Sequence, residues 1–330
     1  MRGITRLLFA VCFAAASVVV AAQTQEDERV VVDSRLVTVN VSVTDARGRH
    51  VGGLTGGQFE VFDDQTRRPV EQFSAGDSPF SLGIVYDIHS SDAARVGETL
   101  SALRHFTRSL GADDRFFLLV FNGRGSVVVD FVPTFEQITG HLNYAPANEP
   151  SALYDAVFVA AERVRAAPHA KKALLVISDG GDHNSRHSHR EVRRRVREFN
   201  VQVYGIGIAD GQAGAGGGRA RWTVDELTGR AGGGAFASWR DTALGHAALE
   251  EFARTSGGSL YLPDIGGESE LAELCARVGL ELRRQYTLAF RPSEVKGGKE
   301  WHAIRVRVRP HAGSDGLRLS YRRGYRSPMR

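Results

Sequence analysis

The sequence has little cysteine, and it lacks the patterns that mark several large classes of protein. Its 330 residues include 2 cysteines, which excludes a disulfide-rich scaffold and a zinc module built on several cysteines. The 37 glycines follow no Gly-X-Y period, so the chain is not collagen-like. A formal net charge of +4, from 42 basic and 38 acidic residues, does not by itself require a nucleic-acid partner. With 42% hydrophobic and 24% charged residues, the composition indicates a folded protein of one or two domains.

The first 22 residues have the character of a secretory signal peptide. Arg2 and Arg6 provide a positive start, residues 7–20 are apolar, and small residues follow. The apolar run is shorter than the ~20 residues that a spanning helix needs, so a membrane anchor is the alternative that we favour less. The sequence therefore predicts an exported mature chain, periplasmic or secreted, after removal of residues 1–22. That chain would contain no transmembrane segment and one cysteine, Cys275.

Both ends of the mature chain are predicted to consist of strands and turns. The predicted strands are residues 36–43, 59–62, 70–73, 286–290, 304–308 and 317–321. Three strands at either end are too few to bury a stable core separately. We therefore expect the segments 30–78 and 285–326 to be the two halves of one small β-sandwich, which the central part of the chain interrupts.

The central segment, residues 79–284, alternates between short apolar strands and amphipathic helices. Its predicted strands are residues 82–86, 116–121, 127–131, 173–177, 201–208 and 260–262. This rhythm predicts an α/β fold, a Rossmann-like and doubly wound sheet that is mostly parallel and has helices on both faces. Residues 210–245 are interpreted as a glycine-rich insertion. Its glycines do not follow a strand and open a helix, so they do not resemble a nucleotide-binding loop.

Polar residues follow the strands at the expected centre of this sheet. Asp87 ends the first strand, Asp179 follows strand 173–177, and Ser151 precedes a helix. Ligands of open α/β sheets bind beyond the carboxyl ends of the strands, where the strand order reverses. Hard oxygen ligands of this kind suit Mg²⁺, Mn²⁺ or Ca²⁺. The sequence therefore predicts a divalent-cation site at this edge, with one coordination position left open.

These residues resemble the motifs of the von Willebrand factor A (VWFA) domain. That family has Asp-x-Ser-x-Ser after its first strand, then a threonine, and later a strand that ends in Ser-Asp-Gly. The corresponding residues here are Asp87, His89, Ser91, Ser151, Ser178, Asp179 and Gly180. The flanks are similar to VWFA-related proteins described from acidobacteria, in the segment Phe59-Glu60-Val61-Phe62-Asp63-Asp64 and in the close Arg323-Gly324-Tyr325.

The resemblance implies a metal-ion-dependent adhesion site (MIDAS) formed by Asp87, Ser91, Ser151 and Asp179. It also implies a protein-binding or adhesion function, in which an acidic side chain of the protein ligand completes the coordination of the metal. His89 departs from the pattern, since the family has serine there and Mg²⁺ prefers oxygen to imidazole. Three alternatives follow: His89 points away from a weakened Mg²⁺ site, or it ligates a transition metal, or the domain is a metal-free structural scaffold.

Other candidate sites are weaker in the sequence. His183, His187 and His189 could form a zinc site with His89, but no cysteine or carboxylate spacing completes a known zinc site, so we favour a polar loop with solvated histidines. The arginines of residues 193–197 lie on an amphipathic helix, so we expect no nucleic-acid partner.

No set of catalytic residues is recognisable in the mature chain. It has neither the Gly-x-Ser-x-Gly motif of a nucleophile elbow nor a Cys–His pair in a recognisable motif. We therefore expect a binding protein and not an enzyme. The alternative is a metal-dependent hydrolase that uses Asp87 and Asp179 in the same pocket.

Overall fold

The structure is a computed structural model. It describes residues 36–76, 78–88, 93–122, 125–132, 151–208, 233–263, 267–292, 300–309 and 316–326. The predicted signal peptide and residues 210–232 of the predicted insertion lie outside these ranges. The elements described below all belong to one unit, which begins at Arg35.

Strands and helices follow one another in three blocks. The first block holds β1 Val37–Thr44, β2 Phe59–Asp63, β3 Thr66–Arg68 and β4 Gln72–Ser74. The strands of the second are β5 Phe80–Asp87, β6 Arg115–Asn122, β7 Gly125–Val132, β8 Lys171–Ser178, β9 Gln202–Gly207 and β10 Leu260–Tyr261. Its helices are α1 Ala93–Arg108, α2 Leu153–Arg165, α3 His189–Glu198, α4 Gly233–Ser256 and α5 Glu268–Arg284. The third holds β11 Tyr286–Phe290, β12 Trp301–Val308, β13 Arg318–Ser320 and β14 Gly324–Arg326.

The middle block forms a six-stranded sheet in the order β10-β9-β8-β5-β6-β7. Five of its strands are parallel, and β7 pairs antiparallel with β6 at the edge. Strand β5 is buried along its whole length, which explains its nearly continuous apolar sequence. One face packs against α1 and α5, and the other against α2, α3 and α4. The strand order reverses between β5 and β8, so the carboxyl ends of these two strands mark the switch point.

The outer blocks pair with each other in two antiparallel sheets. Their strand orders are β13-β1-β11-β4 and β14-β12-β2-β3, so each sheet joins strands from both sides of the α/β part. Alternate valines of β1 are buried in one core with apolar residues of β2, β11 and β12. The predicted fold class, a doubly wound α/β sheet inserted in a small β-sandwich, is therefore confirmed. The exact domain boundaries 30–78, 79–284 and 285–326 stay predictions.

Two elements differ from the expectation. The strand predicted at residues 70–73 is replaced by two shorter strands, β3 and β4. Asp64 and Gln65 have positive φ angles of 46° and 77°, which turn the chain back into β3 at once, and Pro69 follows that strand. Helix α4 begins at Gly233, inside the segment interpreted as a glycine-rich insertion. Glycine is a poor helix former, so local propensity favoured a loop there.

A buried lysine ties the α/β part to the strand that follows it. Lys171, at the start of β8, is 2% exposed. Its Nζ donates to the carbonyl oxygens of Leu282, Arg283 and Gln285 at distances of 3.3, 3.2 and 3.2 Å. The last carbonyls of a helix lack intrahelical donors, and a positive charge is favourable beside them. Lys171 therefore fixes the end of α5, where the chain leaves for β11.

Candidate metal site

Asp87 lies at the carboxyl end of β5 and is held by two hydroxyl groups. It is 3% exposed, and its Oδ2 accepts hydrogen bonds from Ser151 Oγ and Ser178 Oγ, both at 2.9 Å. Ser151 precedes α2 and Ser178 ends β8, so three separate parts of the chain meet at the switch point. Hydrogen bonds to an ionised carboxylate are among the stronger ones, and here they fix its orientation.

The loop after β8 places Asp179 beside this group. Asp179 is 8% exposed, and its Oδ1 accepts a hydrogen bond from the backbone N–H of Gly181 at 2.8 Å. Gly180 has φ +85°, and its N–H donates to Ser178 Oγ at 2.9 Å. A Cβ atom on Gly180 would lie 2.5 Å from the backbone carbon of Gly245 in α4. Glycine is therefore required here both for the backbone angle and for the close approach of α4.

A second set of hydrogen bonds fixes Ser151. Its carbonyl oxygen accepts from the backbone N–H groups of His183 and Asn184 at 2.9 and 3.0 Å. Asp182 Oδ1 accepts from the Tyr154 N–H at 3.1 Å and from Ser185 Oγ at 2.5 Å. These bonds join the start of α2 to the loop that follows Asp179. The Ser151 hydroxyl is therefore positioned by the backbone on both sides of it.

The residues brought together suit a hard divalent cation. Asp87, Ser151 and Asp179 supply two carboxylates and one hydroxyl at one edge of the sheet, which are the oxygen ligands that Mg²⁺, Mn²⁺ and Ca²⁺ accept. His89 and Ser91, which the sequence also assigned to this site, lie outside the described residues. Their roles stay predictions, and so do the three alternatives that concern His89.

Two residues near the site were given no role in the sequence analysis. Ser178 belongs to the Ser-Asp-Gly motif, but its bond to Asp87 is visible only in the structure. His246 of α4 packs on Gly207, where an added Cβ would lie 2.7 Å from the ring nitrogen Nε2. Burial lowers the pKa of His246, while the negative charge of Asp179 opposes this effect. Its Nε2 makes no hydrogen bond within the described ranges. No sequence signal pointed to His246, because it follows a glycine-rich stretch that was interpreted as an insertion away from the sheet.

Two of the histidines considered as zinc ligands have other partners. The Nδ1 atom of His187 lies 2.7 Å from Asp155 Oδ1, and its ring stacks on Phe158 with the centroids 3.8 Å apart. His189 lies 3.3 Å from Glu251 and stacks on a neighbouring aromatic ring. Across the part of the chain that is described, these histidines form no group close enough to share a metal ion.

A separate acidic group lies in the β-sandwich. Asp63 is the last residue of β2, Asp64 begins the turn after it, and His302 lies on β12. Asp63 and His302 are 0% and 4% exposed. The Nδ1 atom of His302 is 2.7 Å from Asp64 Oδ2 and 3.8 Å from Asp63 Oδ1, and Tyr325 donates to Asp63 Oδ2 at 3.1 Å. One ligand atom from each of the three residues lies within 4.8 Å of the others, close enough to hold one divalent ion. In the sequence these two aspartates belong to the segment that resembles VWFA-related proteins, and no signal there points to a metal site.

Comparisons with known proteins returned similarities of structure. No protein-family model matches the chain, and no curated protein matches it. An aerotolerance-related membrane protein from Bacteroides fragilis is 14% identical with a TM-score of 0.42, over 62% of this chain and 98% of that chain. The proximal thread matrix protein 1 of the mussel byssus, with a zinc-occupied MIDAS motif, is 15% identical with a TM-score of 0.39, over 63% of this chain and 48% of its own.

The ArnB paralog VWA2 from Sulfolobus acidocaldarius is 11% identical with a TM-score of 0.42, over 86% of this chain and 74% of that chain. At these identities and TM-scores we carry no function or site over from these proteins, and the narrower resemblance to acidobacterial proteins finds no support in them. Among the described helices, none is both long and apolar enough to cross a membrane. The strand order, the antiparallel edge strand and the helices on both faces give the central part of the chain a von Willebrand factor A-like fold.

Proposed function

We propose that this chain is an exported protein-binding module that holds a divalent cation at the carboxyl edge of its six-stranded sheet. The observation that carries the proposal is the state of Asp87. Its carboxylate is buried at the switch point, it is oriented by two serine hydroxyls, and it stands beside the loop of Asp179. Two buried carboxylates with a serine hydroxyl at the same edge of the sheet are the oxygen ligands that a hard divalent cation accepts.

The chemistry of binding follows from the ligands. Asp87, Asp179 and the hydroxyl of Ser151 would hold the ion, and Ser91 would join them from the segment that follows β5. A cation held by few protein oxygens keeps positions for water or for an outside ligand. A carboxylate of a protein partner would occupy one of these positions. We therefore propose recognition as the role of the site, with a metal-dependent hydrolase in the same pocket as the alternative.

Calorimetric titration with Mg²⁺, Mn²⁺ and Zn²⁺ tests the metal site. We expect the chain without residues 1–22 to bind Mg²⁺ or Mn²⁺, and Asp179→Asn to abolish that binding because the variant keeps the shape and removes the charge. Asp113→Asn is the matched control, since Asp113 is exposed and lies outside the site. Failure of the unmodified chain to bind any of the three ions would contradict the proposal and favour the metal-free scaffold. Zinc binding that His89→Ala removes, with Mg²⁺ ignored, would favour the transition-metal site.

A displayed library of peptides containing Asp or Glu tests the binding function. We expect captured peptides whose binding is lost with EDTA and with Asp179→Asn. Binding that survives both treatments would contradict metal-mediated recognition. A screen of esters and phosphoesters tests the enzyme alternative, because turnover that disappears in Asp179→Ala would make the protein a hydrolase.

N-terminal sequencing of the protein from an expressing bacterium tests export. We expect an N-terminus at Gln23 in the periplasm or medium. A retained Met1, with the protein in the membrane fraction, would contradict cleavage and favour the anchor.

A further inference from the structure

A basic pocket opens where α3 meets the strands β12 and β14. It has a volume of about 170 Å³ and is lined by Arg190, Arg193, Arg194, Arg197, Glu198, Glu300, Trp301 and Arg326. Helix α3 belongs to the α/β part, and the two strands belong to the β-sandwich. The pocket therefore lies at the junction of the two, on different elements from those that carry Asp87 and Asp179.

The five arginines of this pocket outnumber its two glutamates. Arg326 lies 3.1 Å from Glu198 and 3.5 Å from Glu300, so its charge is balanced within the pocket. Arg193 is paired with Glu251, and Arg194 lies 4.0 Å from Glu198. For Arg190 and Arg197, no carboxylate of the described ranges lies within ion-pair distance. Two guanidinium groups of the pocket therefore have no countercharge among the described residues.

Trp301 holds one of these two arginines in place. The guanidinium carbon of Arg197 lies 3.7 Å from the centroid of the Trp301 ring, which is a close cation–π contact. Burial and the neighbouring charge of Arg193 lower the pKa of Arg197. A guanidinium stays charged even so. The guanidinium group of Arg197 is thus held in position, partly desolvated and charged. A guanidinium in this state is well prepared to bind an anion.

We infer that this pocket binds a small oxyanion of the phosphate class, such as pyrophosphate. Guanidinium groups bind phosphate oxygens through paired N–H donors, and a dianion would balance the excess charge of Arg190 and Arg197. Drug-sized ligands occupy about 300–1,000 Å³. The smaller volume here selects a compact anion, or the charged end of a larger molecule. This inference is independent of the proposed metal site.

Titration with pyrophosphate, phosphate and sulfate at constant ionic strength tests the inference. We expect pyrophosphate to bind, to change the fluorescence of Trp301 and to raise the melting temperature, because a ligand that contacts both sides of the junction stabilises the folded state. Arg190→Gln combined with Arg197→Gln should weaken binding about tenfold or more, from the loss of two charge-assisted contacts. Arg47→Gln combined with Arg305→Gln is the matched control, since both arginines are exposed and lie outside the pocket.

Several results would overturn the inference. The first is an absence of pyrophosphate binding, and the second is a loss of affinity in the control variant equal to that in the double variant. The third is a binding signal that vanishes when the ionic strength is held constant during the titration. Phosphatidylglycerol vesicles test whether the phosphate belongs to a lipid. Vesicle binding that pyrophosphate displaces supports a headgroup in this pocket, whereas vesicle binding that it leaves unchanged contradicts the site. If the double variant does not fold, Arg197→Lys replaces it, and that variant should lose affinity while keeping the charge.

Discussion

Ser178 offers a sharp prediction about the metal site, because it touches Asp87 without being an expected metal ligand. Ser178→Ala removes one of the two hydroxyl donors to Asp87 Oδ2 and also removes the acceptor of the Gly180 N–H. A hydrogen bond to a charged group contributes about 1.5–3 kcal/mol. Groups that orient a metal ligand typically change metal affinity about 10–100-fold. We therefore expect Ser178→Ala to bind Mg²⁺ or Mn²⁺ about 10–100-fold more weakly than wild type.

The assay is calorimetric titration of wild type and Ser178→Ala, with Ser81→Ala as the matched control. Ser81 is also fully buried and makes a side-chain contact of 2.9 Å, but its partner is His169 and it lies at the opposite end of β5. We expect the control to keep the wild-type affinity. The reasoning fails if Ser178→Ala binds the ion as tightly as wild type, or if Ser81→Ala loses as much affinity.

Three further predictions concern stability and reactivity. Lys171→Met should lower the free energy of unfolding in urea by about 3 kcal/mol, because it leaves buried carbonyls without a donor; an unchanged midpoint would contradict this. Burial and the charge of Arg284 lower the pKa of His50 from 6.5, so the imidazole takes up a proton at a higher pH in the unfolded chain than in the folded chain. The free energy of unfolding should therefore decline more in wild type than in His50→Gln as the pH falls below 6.5. Parallel pH profiles of the two proteins would refute this prediction. Burial raises the pKa of Cys275 to about 12, so the thiol of the chain without residues 1–22 should resist Ellman's reagent until urea is added, whereas rapid reaction of the native protein would contradict the burial.

The sequence predicted the fold well because each block has its own hydrophobic period. Alternating valines marked β1 as a strand with one buried face, and the structure buries Val37, Val39, Val41 and Val43. The nearly continuous apolar run of β5 likewise marked a strand that is covered on both faces. Short elements were harder to predict. For example, β14 has only three residues, which are too few to show a hydrophobic period.

Contacts between distant residues explain most of what the sequence could not show. Asp64 and His302 are 238 positions apart, and their contact depends on the pairing of β2 with β12. Arg197 and Trp301 meet because α3 packs beside the β-sandwich. A single sequence contains the chemistry of such residues but not their distance. By contrast, Asp87 and Asp179 could be placed together, because they lie at the carboxyl ends of two strands that the α/β rhythm puts at the centre of one sheet.

The measurement that tests the central claim most directly is anomalous diffraction from crystals of the chain grown with Mn²⁺. It distinguishes the two groups of residues that could hold an ion, since the anomalous signal locates the metal itself. We predict a peak between Asp87, Ser151 and Asp179 at the carboxyl edge of the six-stranded sheet. A peak only at Asp63, Asp64 and His302, or no peak at either group, would contradict the account.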